Sequence, residues 1–235
     1  MQAVILAGGK GTRLRPYTMT IPKPLVPIGE RAILDIIIRQ LKFYKIDDII
    51  ISTGYLAELI EAYFGDGKKW GVAIRYVRED KPLGTAGAIK NIKGLDDNFI
   101  VMNGDVLTDI NYKELFDFHL SQKATATIAT IEKEIISDSG VLEIDNDCKL
   151  ISYIEKPKRF DYVSIGINVL SRKCQEYISI GEKIGIPEIV ARIQDSEDSI
   201  YCYKSKATWL DIGKFEDFEK AQEILNKDKG KFIPE

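Results

Sequence analysis

Residues 3–24 read AVILAGGKGTRLRPYTMTIPKP, and the order of residue types in that stretch decides the fold. Ala3-Val4-Ile5-Leu6-Ala7 is a short, unbroken apolar run that ends at glycines, the pattern of a strand buried on both faces. Gly8, Gly9 and Gly11 follow at once, so the chain must bend tightly where the strand stops. Without Cβ atoms in the way, backbone N–H groups in such a bend can close on an anion. Arg13 and Arg15 stand just beyond, and Lys23 lies between Pro22 and Pro24, which stiffen the backbone around it. Strand, glycine bend, arginine and braced lysine together describe a polyphosphate site. It is neither of two familiar glycine motifs. A Walker A loop has Lys followed by Ser or Thr after its last glycine, whereas Thr12-Arg13 follow Gly11. A dinucleotide fingerprint has a further glycine where Leu14 stands.

Working outward, apolar positions from Ile33 to about Tyr44 recur at helical spacing. Asp48–Thr53 reads as a strand. Ala57–Phe64 reads as a helix with Leu59, Ile60, Tyr63 and Phe64 inward, stopped by Gly65-Asp66-Gly67. Val72–Val77 is a strand, Thr85–Ile92 a short helix and Asn98–Asn103 another strand. This alternation predicts an α/β fold with a mainly parallel central sheet and helices on both faces. Ligands of such sheets gather at the carboxyl ends of the strands, where Gly8 and Gly104-Asp105 fall. The second half reads differently: Thr125–Ile131, Gly140–Ile144, Leu150–Glu155 and Ser164–Leu170 are strands with few helices between, extending the sheet and forming a smaller flap. Glu188–Ile193 and Phe215–Leu225 are helices. The latter carries a core stripe of Phe215, Phe218, Ala221, Ile224 and Leu225, and the segment after it, 227–235, reads as a frayed tail.

At 235 residues the chain can form one large domain that buries roughly 70–75% of its unfolded surface. A net charge of −3 gives no general attraction to nucleic acid or an anionic membrane, so phosphate binding must come from locally placed cations. Cys148, Cys174 and Cys202 are odd in number and widely spaced, which suits small core residues in a reducing compartment. No stretch approaches the roughly 18 apolar residues of a membrane span, and no basic leader precedes the first strand, so the expectation is cytoplasmic.

Two carboxylates stand out. Asp105 closes Asn103-Gly104-Asp105 at the end of a strand, and Asp211 lies in Trp209-Leu210-Asp211-Ile212-Gly213. A hard divalent cation that bridges phosphates takes one or two carboxylates plus phosphate oxygens and water. Each also has a plainer reading, a turn aspartate for Asp105 and a helix N-cap for Asp211. His119, the single histidine, sits in a helical stretch (Leu115–Leu120) and reads as packing or surface, so histidine general-base chemistry is not expected.

The opening stretch resembles the G-x-G-T-R-x-x-P…K-P signature of sugar-1-phosphate nucleotidylyltransferases, and the resemblance runs from Met1 to about Ala221. Through Pro82-Leu83-Gly84-Thr85-Ala86-Gly87 and the last helix it is most similar to mannose-1-phosphate guanylyltransferase-like enzymes. The resemblance implies a Rossmann-like sandwich with a smaller β-rich sugar-binding lobe. In that single domain, residues 1–122 serve mainly the NTP and 123–226 mainly the sugar phosphate. It implies Mg2+ on Asp105 and Asp211 and places Arg13, Lys23, Asp105 and Asp211 in catalysis. It implies nucleotide contacts from Leu6, Ala7, Gly8, Gly9, Gly11, Thr12, Arg13, Lys23, Glu79, Pro82, Gly84, Thr85, Asn103 and Asp105. For the sugar phosphate it implies Gly140, Glu155 and Lys156 of the Glu155-Lys156-Pro157 motif, Ser164, Gly166 and Asp211.

The partners implied are an NTP and a sugar 1-phosphate, with a homo-oligomer open. Members using UTP or dTTP place a glutamine just before the Gly84 region. Here no glutamine occurs between Gln40 and Gln122, and Glu79 and Asp80 stand there instead. A carboxylate can accept from both N–H groups of a guanine edge, which favours GTP. The alternative is a solvated turn beside Arg78 and Lys81. The same reaction with CTP, UTP or dTTP and glucose 1-phosphate, or a non-catalytic regulatory homologue, stays open. Many members continue into a C-terminal left-handed β-helix for which this sequence has no residues, so an oligomer built on that domain is not expected.

Overall fold

A computed structural model describes residues 1–79, 81–213 and 215–233, with the side chains of Asn226 and Lys229 left aside. The apolar run becomes β1 (Gln2–Ala7), buried at every position except the half-buried Leu6. It is central because it can lose both faces to water without stranding a polar side chain. Next come two short strands, β2 (Pro27–Ile28) and β3 (Arg31–Ala32), then α1 (Ile33–Phe43), β4 (Asp48–Thr53), α2 (Ala57–Phe64) and β5 (Ala73–Arg78). The first half closes with α3 (Gly84–Asn91), β6 (Asn98–Asn103), β7 (Val106–Thr108) and α4 (Tyr112–Gln122). The second half contributes β8 (Ala126–Ile136), β9 (Val141–Ile144), β10 (Leu150–Ile154), β11 (Lys158–Ser171), α5 (Ile186–Gln194), β12 (Ile200–Ser205), β13 (Trp209–Asp211), α6 (Phe215–Lys227) and α7 (Lys229–Phe232).

Seven strands form one sheet in the order β12-β8-β11-β6-β1-β4-β5. β1 pairs in parallel with both β4 and β6, so Val4 stands beside Ile50 and Val101. β4–β5 and β12–β8 are parallel as well, and only β11 runs against its neighbours. The mainly parallel α/β sandwich expected from the sequence is therefore present. Ile5, Ile51 and Met102 pack on one face with Ile36 and Ile37 of α1 and Leu115 of α4. Val4, Ile50 and Val101 pack on the other with Ala86 and Ile89 of α3 and Ile189 and Ile193 of α5. No helix among the described residues is long and apolar enough to cross a membrane.

Several local expectations need correction. In α2 the buried face is Ala57, Ile60 and Phe64, the i, i+3, i+7 row, whereas Leu59 and Tyr63 lie on the flank and are exposed. In α6, Ala221 and Leu225 are buried with Phe218 and Ile224 against the core, but Phe215 is exposed at the helix start. Cys174 is buried as expected, while Cys148 and Cys202 are exposed, the latter on the edge strand β12. The frayed tail is instead docked through residue 232. Phe232 is fully buried, its carbonyl accepts from Gln40 Nε2 at 2.8 Å, and Lys231 pairs with Asp109 at 3.0 Å. One apolar ring in a short polar segment supplies the anchor.

Candidate active site

The carboxyl ends of β1, β4, β5 and β6 open onto a cavity of about 490 Å³. Among the residues named from the sequence, Leu6, Ala7, Gly8, Gly9, Lys23, Glu79, Pro82, Gly84, Thr85, Asn103 and Asp105 line it. Gly11, Thr12 and Arg13 do not. They form the turn leading away, which Thr18 Oγ1 ties down by donating to the Gly11 carbonyl at 2.7 Å. Tight packing explains the glycines. A Cβ on Gly8 would stand 2.9 Å from Glu79 Oε1, and one on Gly54 would stand 2.9 Å from the Gly8 carbonyl. Gly84 has a positive φ of 80° and its Cβ would lie 2.5 Å from the Ile184 carbonyl; one on Gly87 would lie 2.4 Å from that of Glu182. Both glycines of the 82–87 motif thus admit the 182–184 segment, whose Ile184 carbonyl accepts the free Ala86 and Gly87 amides at the start of α3.

Glu79 sits on the cavity wall, and both of its oxygens already accept hydrogen bonds, from Ser52 Oγ (2.8 Å) and the Leu83 amide (2.9 Å). Its carboxylate therefore braces the loop over the cavity and keeps one lone pair per oxygen for another donor. Asp80, named with it from the sequence, lies outside the described residues. Gly104, placed at this strand end from the sequence, lines the cavity too, as do Lys10, Gly54 and Tyr55, which were not singled out from the sequence. A glycine ending β4 beside the one ending β1 was the available sign of Gly54.

Asp105 lines this cavity, and Asp211, 106 positions later and not itself on the cavity wall, is brought to it through a shared lysine. β7 pairs antiparallel with β13, setting Asp211 beside Val106, and the Ile212 amide donates to the Asp105 carbonyl at 3.1 Å. Trp209 locks β13 in place by donating its indole N–H to the Ile165 carbonyl at 3.0 Å. That carbonyl lies where the β8–β11 register shifts, between Ser164 and Asn168. Lys23 is the shared partner of the two acids: its ammonium hydrogen-bonds Asp105 and lies 3.8 Å from Asp211 Oδ1. It reaches them from a short turn, Lys23–Leu25, and is only 8% exposed. Arg13 Nη1 lies 3.8 Å from Asp211 Oδ2, with its side chain mostly in solvent. Two hard oxygen donors that share one ammonium, Asp105 in the turn before β7 and on the cavity wall and Asp211 at the end of β13, fit a magnesium ion that takes its remaining ligands from phosphate and water. Asp105 and Asp211 are the residues that would hold it.

The description "Nucleotidyl transferase" belongs to a family model that matches residues 2–228. The chain belongs to that family. It is 34% identical to the UTP–glucose-1-phosphate uridylyltransferase of Synechocystis sp. over 94% of this chain and 62% of that one. It is also 34% identical to the D-glycero-alpha-D-manno-heptose 1-phosphate guanylyltransferase of Aneurinibacillus thermoaerophilus, over 96% and 98% of the two chains. The chain thus spans less than two thirds of the length of some curated relatives and nearly all of another. Among solved structures, HddC from Yersinia pseudotuberculosis complexed with GMP-PN superposes with a TM-score of 0.74 at 30% identity, covering 95% of this chain and 99% of that one.

The remaining sequence-named residues fall into two groups. Ser164 and Gly166 lie on β11 at its irregularity. Gly166, with φ 74°, lets the strand pass where a Cβ would stand 2.6 Å from Asn103 Nδ2, so this segment abuts the cavity wall. Gly140, Glu155 and Lys156 lie at the base of the β9–β10 flap. Tyr153 donates to Glu155 Oε2 at 2.9 Å, and a Cβ on Gly140 would stand 2.5 Å from the Tyr153 hydroxyl. Lys156 is exposed, with a positive φ of 46° before Pro157. His119 is buried in packing, its ring nitrogens 2.9 Å from Thr127 Oγ1 and Asn98 Oδ1, and burial pushes its pKa down to about 4.

Proposed function

We propose that this chain transfers a nucleotidyl group from an NTP, GTP favoured, to a sugar 1-phosphate, giving an NDP-sugar and pyrophosphate. The single observation that carries the reading is the ion-pair cluster of Asp105, Asp211, Lys23 and Arg13, of which Asp105 and Lys23 line the cavity together with Gly8 and Gly9 of the glycine bend. The base lies between the Glu79–Thr85 loop and the ends of β1 and β6, and the triphosphate follows the bend from Gly8 toward Arg13. The sugar 1-phosphate enters from the side of Ser164, Gly166, Glu155 and Lys156, so that residues 1–122 serve mainly the nucleotide and 123–226 mainly the sugar within one domain.

The acceptor phosphate oxygen is already anionic, so no general base is required; the barrier is repulsion between anions plus alignment. That suits a site whose only histidine is buried elsewhere. A phosphate oxygen attacks the α-phosphorus, and pyrophosphate departs in line. Lys23 stabilises charge building on the α-phosphate, and Arg13 on the departing pyrophosphate. Asp105 and Asp211 would hold Mg2+, which when bound would supply neutralisation of phosphate charge. The acceptor is mannose 1-phosphate or a related hexose or heptose 1-phosphate. Glucose 1-phosphate with UTP is the second reading, favoured by the equal similarity to a uridylyltransferase. The test is a grid of GTP, ATP, CTP, UTP and dTTP against several sugar 1-phosphates, scored by Mg2+-dependent pyrophosphate release. GTP with a manno-configured acceptor should lead the grid; no release from any pair would overturn the proposal.

A further inference from the structure

The loop over the cavity is held from behind by a segment that does not reach the cavity. Pro82, Gly84 and Thr85 line the wall, whereas no residue of 179–192 does. Hydrogen bonds join the two in both directions. The Ala86 and Gly87 amides donate to the Ile184 carbonyl at 3.0 and 3.1 Å, and the Ile184 amide donates back to the Leu83 carbonyl at 2.9 Å. The Ile186 amide donates to Thr85 Oγ1 at 3.0 Å. Ile184 is also buried in the same apolar layer as Ala86 and Ile89 of α3. Gly84 and Gly87 approach the Ile184 and Glu182 carbonyls more closely than a Cβ would allow, so a shift of 182–184 passes directly to the loop.

The segment is in turn pinned to α5. Arg192 Nη1 donates to Glu182 Oε2 at 2.9 Å while its Nη2 donates to Oε1, a two-point contact that fixes direction as well as distance. Nη1 also donates to the Tyr177 carbonyl at 2.7 Å, and Glu182 Oε2 accepts the Ser179 amide at 3.0 Å. The guanidinium, helped by that amide, pulls the Glu182 carboxyl down to about 2, so the pair stays charged near neutral pH. One partly exposed ion pair adds little to global stability. Its consequence is local: it sets where the Glu182 and Ile184 carbonyls stand against α3.

We infer that Arg192 is a positioning residue for the nucleotide: through Glu182 it places the 82–87 loop and so sets the affinity for the NTP. This rests on the base lying against Glu79–Thr85, as proposed above. It gives the second half of the chain a part in the nucleotide site as well as in the sugar site. Arg192 lies off the cavity wall, so its loss weakens binding of the ground state and the transition state alike. KM for the NTP then rises while kcat holds. Coupling of this kind is reciprocal, so an NTP that orders the loop also orders 182–186.

Arg192→Met on the full chain tests this, since it removes the fork and keeps an apolar stem. KM for the NTP should rise about 5- to 10-fold, with kcat and the KM for the sugar 1-phosphate within about twofold of wild type. Arg192→Lys keeps the charge without the fork and should recover part of the loss. Gly87→Ala, which sets a methyl against the Glu182 carbonyl, should raise the same KM by about tenfold or more. Hydrogen exchange read by mass spectrometry needs no turnover. In R192M the Ala86 and Gly87 amides should exchange about tenfold faster than in wild type. Saturating GTP, with UTP run in parallel, should slow exchange of wild-type 83–88 and 182–186 together. Wild-type turnover with an R192M enzyme of unchanged NTP KM, or of unchanged exchange at 86–87, overturns this inference and leaves the proposed reaction standing. An equal rise in both KM values overturns it too, because that is general loosening of the fold. A wild type that binds neither GTP nor UTP overturns the proposed function and this inference together.

Discussion

Gly213→Ala probes the charge cluster without removing any charge. A Cβ at this position would stand 2.7 Å from Lys23 Nζ, 2.8 Å from Arg13 Nη2 and 2.8 Å from Asp211 Oδ1. Ordinary contacts begin near 3.4 Å, so each of the three charged tips must retreat by about 0.6–0.7 Å. Two of those tips end long, flexible side chains, and Gly213 has no left-handed φ, so the fold should accept the methyl with little loss. The chemistry should not. A displacement of about 1 Å in a positioned group can cost about 10²-fold, so three groups displaced by somewhat less should lower kcat about 10- to 100-fold. That equals about 1.4–2.7 kcal/mol of barrier. Asp211 Oδ1 is the least able to move, because it accepts from the Gly213 amide at 2.9 Å. The assay is pyrophosphate release at saturating substrates, with thermal melting in parallel. Gly230→Ala, where a Cβ meets nothing within 4 Å, serves as the control and should leave both unchanged. A G213A enzyme within threefold of wild-type kcat would refute the claim that this cluster is positioned for the reaction. A melting temperature lowered by more than about 5 °C would show that folding explains the loss.

Three further outcomes are expected. Lys23→Met removes the ammonium shared by Asp105 and Asp211 and should lower kcat about 10²–10³-fold, measured by the same assay; near-normal turnover would remove Lys23 from the mechanism. Phe232→Ala empties a fully buried site and should cost about 3 kcal/mol, the low end for such a change because the terminal segment can relax; melting should fall by about 6–12 °C, and an unchanged melt would mean the tail carries no stability. Acid should weaken the fold through His119, since the unfolded ring binds a proton below about 6.5 while the buried one resists until about 4. This stability is fully present above pH 6.5 and is lost as pH falls toward 4, on the order of 2 kcal/mol between pH 7 and pH 5. Urea midpoints across that range should show the slope, and His119→Gln should flatten it.

Local sequence carried much of this molecule. β4, β6 and α2 have the residue bounds that their apolar patterns predict, because short buried segments bounded by glycines and polar residues leave few alternatives. Other elements were not legible. β12 is an edge strand with exposed Tyr201, Cys202 and Lys204, so it carries no core pattern. β7 and β13 are three residues each and exist only because they pair with one another. Leu59 and Tyr63 read as core because they are apolar, yet only packing decides which flank of a short helix is covered.

The sequence by itself determined the buried first strand, the glycine bend after it and the identity of the charged residues beyond, since these depend on side-chain size, polarity and backbone freedom over a few neighbours. Only the tertiary structure decided that Asp105 and Asp211 share Lys23, that Glu79 is tied to Ser52 and Leu83, and that the β9–β10 ribbon stands uncovered. Those facts depend on strand pairing and segment packing across tens to more than a hundred residues, and spacing along a chain does not fix distance in space.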